Sequence, residues 1–370
     1  MADERAPSVP RARHALLAGG GSGGHVFPAL AIGDELARRG WRVSFAGNPD
    51  GMERRLVEAR GLPFEPLAAR PLVGREFWAR AGALLTLAGS TLAARRLVRR
   101  AAVDAVVGTG GYASAPAVLG ARLARRPVLL VEPNAEPGTA NRWLARWAQA
   151  AAVADEATGR ALACPSFVSG VPIRARFFDA PALAADAPPR LLVLGGSQGS
   201  KRLNELLPPA VAAARARLPA LTVLHQCGER WAEAAAAAWA AVGLSAPAAL
   251  VVPFVADVPA AMAAAALVVS RAGAITLAEI AAAGRPAVLV PLELAGGHQT
   301  GNALRFESAG AARRLAERDA TPERLAALLV ELLGNGAALA AMGARARALA
   351  RPGAAAAIAD RIEALVERAA

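Results

Sequence analysis

Short apolar runs recur along the chain, and longer stretches with helical spacing lie between most of them. The runs are continuous rather than alternating, as expected for strands buried on both faces of a parallel sheet. Most of them end in Gly, Ser or Pro rather than in a two-residue hairpin turn, and this alternation is typical of βαβ units. We therefore predict parallel strands at residues 14–18, 41–46, 102–107, 127–131, 191–194, 221–225, 249–252, 267–270 and 287–290.

Two glycine-rich turns, at residues 19–24 and 195–199, each follow one of these strands directly. An Ala- and Pro-rich segment at residues 179–190 precedes the second turn, and 370 residues suffice for two domains. The sequence thus predicts an α/β fold with two doubly wound domains, at residues 11–175 and 188–352. A ligand is expected in the cleft between them, near the carboxyl ends of the strands.

The basic composition changes this picture little. The formal net charge is +12, but Arg, Ala and Gly dominate and Lys201 is the only lysine, which we interpret as a genome-wide bias. A basic chain favours anionic lipids, nucleotide phosphates or nucleic acid. Aromatic and basic residues are not interleaved in the way typical of single-strand binding, so no nucleic acid partner is predicted.

Secretion and membrane spanning are not expected from the sequence. The first residues lack an apolar signal core. The uncharged stretch at residues 81–94 is shorter than the roughly 20 residues that a membrane-spanning helix needs. Cys164 and Cys227 show neither disulfide nor metal-ligand spacing, which suits a reducing compartment.

The glycine turns are candidate anion sites, because glycine lets backbone N–H groups approach a diphosphate and a following helix adds positive potential. Gly19, Gly21 and Gly24 also satisfy the dinucleotide pattern, whereas His25 stands where a P-loop has lysine. A tight turn without a ligand explains the glycines equally well. His25 is expected at the start of a helix facing the cleft, either as a proton acceptor or as a capping or solvated side chain.

Seven collinear motifs resemble the peptidoglycan N-acetylglucosaminyltransferases of the MurG type. They lie at residues 20–31, 108–116, 132–138, 195–199, 225–228, 270–280 and 298–303. The resemblance implies a GT-B fold of two Rossmann-like domains, with acceptor bound by the first and UDP-sugar by the second. It also implies that the last helix, near residues 354–370, returns to the first domain. The implied reaction is an inverting transfer of N-acetylglucosamine from UDP-N-acetylglucosamine to the 4-hydroxyl of lipid-linked N-acetylmuramoyl-pentapeptide.

The resemblance assigns roles in donor binding to individual residues. Glu279 would accept the ribose hydroxyls, Val255 would contact uracil through its backbone, and Arg174 would lie near the nucleotide. Asn134, His298 and Gln299 would read the sugar, with Ser197 and the N–H groups after Gly273 near the phosphates. The predicted donor residues are Ser22, Gly23, Gly24, Asn134, Arg174, Ser197, Val255, Ala274, Ile275, Thr276, Leu277, Ala278, Glu279, His298 and Gln299.

On the acceptor side, His25 would assist deprotonation of the acceptor hydroxyl or contact its diphosphate, and the sequence does not choose between these roles. The predicted acceptor loops contain Gly21, Gly110, Gly111 and Tyr112. Helix N-termini can stabilise departing UDP without a metal. The sequence has no Asp-x-Asp motif, so neither a metal nor another cofactor is predicted.

An apolar stripe with flanking arginines begins at Phe77 and Trp78 and includes Leu84 and Leu85. Such a stripe can lie in the interface of an anionic bilayer, but a core-facing helix has the same pattern. Because the implied acceptor is a lipid, we expect peripheral attachment to the cytoplasmic face of the plasma membrane.

Other functions remain open at this point. A nicotinamide-dependent oxidoreductase would use residues 19–24 but would leave Glu279, His298 and Gln299 without a role. A non-catalytic subunit would bind UDP-sugar without turnover. The same fold also accommodates a UDP-N-acetylglucosamine epimerase or another lipid glycosyltransferase.

Overall fold

The computed structural model describes residues 11–71, 77–293 and 298–369. In this part of the chain the strands are β1 His14–Ala18, β2 Arg42–Gly47, β3 Phe64–Pro66, β4 Ala105–Gly108, β5 Val128–Glu132, β6 Ala150–Val153, β7 Ser166–Val168, β8 Arg190–Leu194, β9 Thr222–Gln226, β10 Ala249–Val252, β11 Leu267–Ser270, β12 Ala287–Leu289 and β13 Ala312–Arg314. The helices are α1 Gly23–Arg38, α2 Met52–Glu58, α3 Phe77–Arg100, α4 Ala115–Leu123, α5 Thr139–Leu144, α6 Glu156–Arg160, α7 Lys201–Arg215, α8 Ala232–Ala241, α9 Val258–Ala264, α10 Ala274–Ala283, α11 His298–Ser308, α12 Pro322–Leu333, α13 Gly336–Ala348 and α14 Ala354–Ala369.

The strands form two parallel sheets, each with helices packed against it. The first has the order β3-β2-β1-β4-β5-β6-β7, and the second has the order β10-β9-β8-β11-β12-β13. In the first sheet Leu17 of β1 pairs with Phe45 on one side and with Val107 on the other. The chain therefore changes direction across the sheet at β1, and likewise at β8. Ligands bind at such switch points in doubly wound folds, and both glycine turns lie directly after these two strands.

Every strand predicted from an apolar run is present, and the α/β fold with two Rossmann-like halves is confirmed. The prediction missed β3, β6, β7 and β13. Three of these have only three residues each, and β6 reads Ala-Ala-Ala-Val. Alanine carries little strand preference, so β6 is identified only by its pairing with β5 and β7.

The last helix returns to the first sheet. Arg39, at the end of α1, contacts Asp360 at 2.6 Å and Glu363 at 2.9 Å, both on α14. We refer to the first sheet with its helices and α14 as the N-lobe, and to the second sheet with its helices as the C-lobe. The predicted domain bounds, 11–175 and 188–352, stay predictions.

The segment that joins the lobes is fixed to the C-lobe by two arginines. Arg285 is buried and donates to Pro181 O at 2.9 Å, and Arg347 donates to Phe178 O at 3.1 Å. Backbone carbonyls thus satisfy a buried guanidinium.

Candidate functional site

The two lobes enclose one large cleft of about 1510 Å³ at the carboxyl ends of both sheets. The glycine turns approach each other across it, since a Cβ added to Gly23 would lie 3.3 Å from Ser197 Cβ. Most of the predicted site residues line this cleft: Ser22, Gly23, Gly24, His25, Gly110, Gly111, Tyr112, Asn134, Arg174, Ser197, Val255, Ala274, Ile275, Thr276, Glu279, His298 and Gln299. The volume is sufficient for a sugar nucleotide together with part of a second substrate.

The N-terminus of α10 points its free N–H groups toward the cleft. Its first turn begins at Gly273, which has no side chain to cap the helix. Ala274, Ile275 and Thr276 have no intrahelical acceptor for their N–H groups. Leu277 already donates its N–H to Gly273 O at 3.0 Å. An anion at this helix end would be stabilised by both the N–H groups and the helix dipole.

Two predicted residues on this helix do not line the cleft. Leu277 is buried, and Leu277 and Ala278 line a separate small cavity of about 60 Å³. The helix itself already uses the Leu277 N–H, and the role of Leu277 as a phosphate donor stays a prediction. Ala274, Ile275 and Thr276 are the predicted phosphate donors whose N–H groups lie in the first turn, where the helix provides no acceptor.

The second glycine turn, residues 195–199, is braced from behind by the neutral amide of Gln226. Its Oε1 accepts from Gly195 N at 3.0 Å, and its Nε2 donates to Gly196 O at 3.1 Å. A Cβ added to Gly196 would meet nothing within 4 Å, so the turn is open toward the cleft. This turn thus adds no negative charge to the site where α10 begins.

Glu279 is the titratable group at the first turns of α10 that faces the cleft. In the described part of the chain its carboxyl group has no hydrogen-bond partner and no ion pair within 4 Å. Burial raises the pKa of Glu279 to about 7, and the charge of Arg174 opposes this increase. Arg174 lies over the ring of Phe177, 5.1 Å from its centroid. A ligand with two hydroxyl groups would satisfy the unpartnered carboxylate.

The first glycine turn already encloses a carboxylate of the protein. Glu53 of α2 is 1% exposed and accepts from Gly21 N at 3.3 Å and from Asn48 N at 3.0 Å. A Cβ on Gly20 would lie 2.3 Å from the Glu53 carboxylate, which explains why this position is glycine. Gly21 is not among the residues that line the cleft, and its place in an acceptor loop stays a prediction. Sequence reasoning missed Glu53, which lies outside every recognised motif.

His25 follows this turn and is held as a neutral base. Its Nδ1 lies 2.9 Å from Thr109 O. A carbonyl only accepts, so Nδ1 carries the proton and Nε2 has a free lone pair. Burial lowers the pKa of His25, while Thr109 O and the charges of Glu132 and Glu53 raise it and His298 lowers it. A neutral ring at physiological pH can accept a proton.

The glycines that follow β4 make room for this ring. Gly110 and Gly111 have φ values of +100° and +72°. A Cβ on Gly110 would lie 2.8 Å from His25 Nδ1, and one on Gly111 would lie 2.3 Å from Gly20 O. The second predicted loop therefore positions His25, with Tyr112 beside it in the cleft wall.

The orientation of the Gln299 amide follows from its backbone partners. Its Oε1 accepts from Ala272 N at 3.2 Å and from Leu292 N at 3.0 Å. Backbone N–H groups only donate, so the atom facing them is oxygen, and Nε2 is the end left for a ligand. Beside it, His298 Nδ1 lies 3.0 Å from Glu136 O of the N-lobe. Both residues belong to α11 of the C-lobe. The contact between His298 and Glu136 therefore joins the two lobes beside the cleft.

In the N-lobe, α3 exposes large apolar side chains. Leu84 is 55% and Leu85 76% exposed, and Leu92 is also exposed. The predicted side chains of Phe77 and Trp78 lie outside the described residues. Among the described helices, none alone has the length and apolar composition to cross a bilayer; α12 and α13 meet that criterion only as a pair bent by 94°.

Metal ligands do not cluster in the described residues: no three His, Cys, Asp or Glu side chains there are placed to hold an ion. The prediction that no metal is required stays a prediction.

Comparisons with known proteins agree with the geometry. Family models of the glycosyltransferase family 28 N-terminal domain and C-terminal domain match residues 15–153 and 190–360. The crystal structure of Acinetobacter baumannii MurG superposes with a TM-score of 0.76 at 35% identity, covering 95% of this chain and 99% of that one. A glycosyltransferase of kitacinnamycin, at 20% identity and a TM-score of 0.67, shares the fold.

Two relatives have the same printed name, UDP-N-acetylglucosamine–N-acetylmuramyl-(pentapeptide) pyrophosphoryl-undecaprenol N-acetylglucosamine transferase. The relative from Halorhodospira halophila is 43% identical over 366 residues, covering 97% of this chain and 99% of the relative. The relative from Sorangium cellulosum is 44% identical over 357 residues, covering 93% and 86%. The resemblance predicted from the seven motifs is thereby confirmed: the chain belongs to glycosyltransferase family 28 and, within it, to the MurG-type N-acetylglucosaminyltransferases.

Proposed function

We propose that this chain transfers N-acetylglucosamine from UDP-N-acetylglucosamine to the 4-hydroxyl of undecaprenyl-diphospho-N-acetylmuramoyl-pentapeptide, with inversion at the anomeric carbon. One observation carries the proposal: the free N–H groups at the start of α10 and the free Nε2 of His25 line the same cleft from opposite lobes. A leaving diphosphate and an attacking hydroxyl require this pair of groups. The names of the relatives supply the substrates.

The chemical step follows from these two groups. The acceptor 4-oxygen attacks C1 of the sugar as its proton passes to His25 Nε2. The bond between C1 and the diphosphate oxygen breaks, and its electron pair leaves with UDP. Ala274, Ile275 and Thr276 donate N–H groups to the charge that develops on the diphosphate. Attack from the face opposite the leaving group gives inversion.

Donor recognition is assigned to the C-lobe. Glu279, as a carboxylate, accepts from both ribose hydroxyls, and Val255 contacts uracil through its backbone. Gln299 donates from Nε2 to a sugar hydroxyl, consistent with its fixed amide. Arg174 lies beside Glu279 and contributes positive charge near the nucleotide.

The acceptor is assigned to the N-lobe and to a membrane surface. Leu84 and Leu85 on α3 would enter the interface of a bilayer, with Arg96, Arg99 and Arg100 of the same helix exposed for anionic headgroups. Peripheral attachment of this kind brings the lipid-linked sugar to the side of the cleft that holds His25.

A transfer assay tests the proposal. Radiolabelled UDP-N-acetylglucosamine is mixed with the purified chain and lipid-linked muramyl-pentapeptide in detergent, with NAD and UDP binding measured in parallel by calorimetry. We expect label in the lipid fraction, UDP binding and no NAD binding. Binding of UDP without any labelled lipid would instead favour a non-catalytic subunit, and NAD binding at residues 19–24 would favour an oxidoreductase.

A further inference from the structure

We propose that Glu132 and Asn302 are positioning residues, one from each lobe, which together fix the side-chain amide of Asn134 and thereby place the donor sugar against His25. The inference rests on the proposed function, because it concerns how the donor sugar is held. Neither residue is among those that the sequence singled out for the site.

Glu132 stands at the end of β5 and is only 2% exposed. Its Oε1 accepts from the backbone N of Asn134 at 3.0 Å and from Asn134 Nδ2 at 2.9 Å. Its Oε2 accepts from Gly138 N at 2.8 Å and from Asn141 Nδ2 at 3.0 Å. Four N–H groups thus surround one buried carboxylate, which closes residues 132–138 into a fixed loop.

Asn302 holds the same loop from the other lobe. It lies on α11, is 5% exposed, and accepts from Ala135 N through Oδ1 at 2.9 Å. Its Nδ2 donates to Ala272 O at 3.1 Å and to Asn134 Oδ1 at 3.3 Å. Because Ala135 N only donates, the orientation of the Asn302 amide is determined, and its Nδ2 must face Asn134.

The Asn134 amide is therefore determined at both ends. The Glu132 carboxylate can only accept, so the Asn134 atom that faces it is the donor Nδ2. Asn302 Nδ2 can only donate, so the Asn134 atom that faces it is the acceptor Oδ1. One N–H and one lone pair of Asn134 remain for a ligand in the cleft that it lines. A sugar with the wrong pattern of donors and acceptors would leave these groups unpaired, which costs affinity.

Further contacts hold the loop to both lobes. Thr158 donates to Ala135 O at 2.9 Å, and Arg305 of α11 contacts Asp155 at 3.1 Å. Glu132 also acts on the base, because its charge raises the pKa of His25. The other charged or titratable groups that act on that ring are Glu53, which raises its pKa, and His298, which lowers it.

Isosteric variants test the proposal. Glu132→Gln turns an amide N–H₂ toward groups that can only donate, and Asn302→Asp turns an oxygen toward Asn134 Oδ1. Calorimetry gives the affinity for UDP and for UDP-N-acetylglucosamine. The affinity for UDP-N-acetylglucosamine divided by the affinity for UDP, here called the sugar ratio, isolates the contribution of the sugar. We expect each variant to lower this ratio by about 10-fold or more, because buried polar groups around Asn134 lose their partners. UDP alone should bind within about two-fold of wild type. Glu233→Gln, on the exposed start of α8, is the matched control.

A second background separates positioning from general stability. In Asn134→Ala the amide to be positioned is gone, so adding Asn302→Asp should lower the sugar ratio by much less than it does in the wild-type chain. Glu132→Gln should also shift the acid limb of the kcat/KM profile to lower pH, since His25 loses a charge that raises its pKa.

Two results would overturn the proposal: folded variants with the wild-type sugar ratio, or full effects that persist in the Asn134→Ala background. Calorimetry measures binding of the donor sugar in the absence of acceptor, so this test does not depend on transfer. A wild-type chain that binds UDP-N-acetylglucosamine but never transfers it would therefore count against the proposed function alone.

Discussion

The two lobes begin alike, with a strand, a glycine turn and a helix, but the turns differ in what lies behind them. Behind the N-lobe turn is the buried carboxylate of Glu53, which accepts from Gly21 N. Behind the C-lobe turn is the neutral amide of Gln226, which accepts from Gly195 N. One turn therefore already holds an anion, and the other presents open backbone to the cleft.

A glycine turn is therefore not by itself an anion site. A fixed negative charge behind the turn repels a diphosphate, whereas a neutral brace leaves the helix dipole and free N–H groups unopposed. The lobes accordingly divide the chemistry. The C-lobe suits the nucleotide, and the N-lobe suits the base and the acceptor.

The largest expected effect is on turnover, when the base of the N-lobe is removed. His25→Ala removes the proton acceptor, and we expect kcat to fall about 100- to 1000-fold. Donor affinity should remain within about two-fold, because UDP is assigned to the other lobe. Steady-state transfer and UDP calorimetry measure the two quantities. Undiminished kcat would remove His25 from the chemical step.

Two charge changes, one at the residue that braces each glycine turn, should affect UDP binding differently. Gln226→Glu places a negative charge under the C-lobe turn and should weaken UDP binding about 30-fold. Glu53→Gln removes the charge under the N-lobe turn and should leave UDP affinity unchanged, although the turn itself will be less stable. Calorimetry at constant ionic strength reads both, with circular dichroism to verify folding. Equal losses of UDP affinity in the two variants would contradict the division.

Glu279 tests the C-lobe through pH. Because burial raises its pKa to about 7, the group is largely protonated at pH 6 and ionised at pH 8. Only the carboxylate accepts from both ribose hydroxyls, so UDP-N-acetylglucosamine, whose diphosphate is esterified at both ends and does not titrate in this range, should bind about 10-fold more tightly at pH 8 than at pH 6. In Glu279→Gln this pH dependence should disappear. A pH dependence that persists in Glu279→Gln would assign the titration to another group.

The same raised pKa affects stability with a definite sign. The folded chain retains a proton that an unfolded glutamate loses near its ordinary pKa of 4.5. The favourable contribution of Glu279 is therefore complete below that value and is lost as the pH rises through about 7. Urea unfolding at pH 5 and pH 8 should show wild type losing more stability between the two than Glu279→Gln.

The smallest expected effect concerns the exposed apolar side chains of α3 in the N-lobe. Replacing exposed Leu84 and Leu85 together by Ser should reduce binding to anionic vesicles about five-fold or more, because apolar area no longer enters the interface. Transfer to a detergent-solubilised acceptor should be retained. Vesicle sedimentation measures the binding. A separate variant, Leu123→Ser at the exposed end of α4, is the control for a general loss of apolar surface.

Much of the fold could be predicted from local pattern. Continuous apolar runs followed by Gly, Ser or Pro identify strands such as β1 and β8, since burial on both faces selects such runs. The Ala-rich β6 has no such local signal, and the short edge strands β3 and β13 contain charged residues. These strands form because neighbouring strands pair with them, which local sequence does not record.

The site divides in a similar way. Residues inside recognisable motifs, such as His25 and Gln299, were predicted and line the cleft. What sequence could not provide is which groups the folded protein already satisfies. Glu53 accepts from Gly21 N, so this N–H of the first glycine turn is already paired. The contact joins two segments that lie 32 residues apart and meet only after folding.

The most direct test of the central claim is a crystal structure of the chain with UDP-N-acetylglucosamine. We predict diphosphate oxygens within hydrogen-bond distance of the N–H groups of Ala274, Ile275 and Thr276, the ribose at Glu279, and the anomeric carbon facing His25 Nε2. Diphosphate bound instead in the turn at residues 19–24 would contradict the division of roles between the lobes.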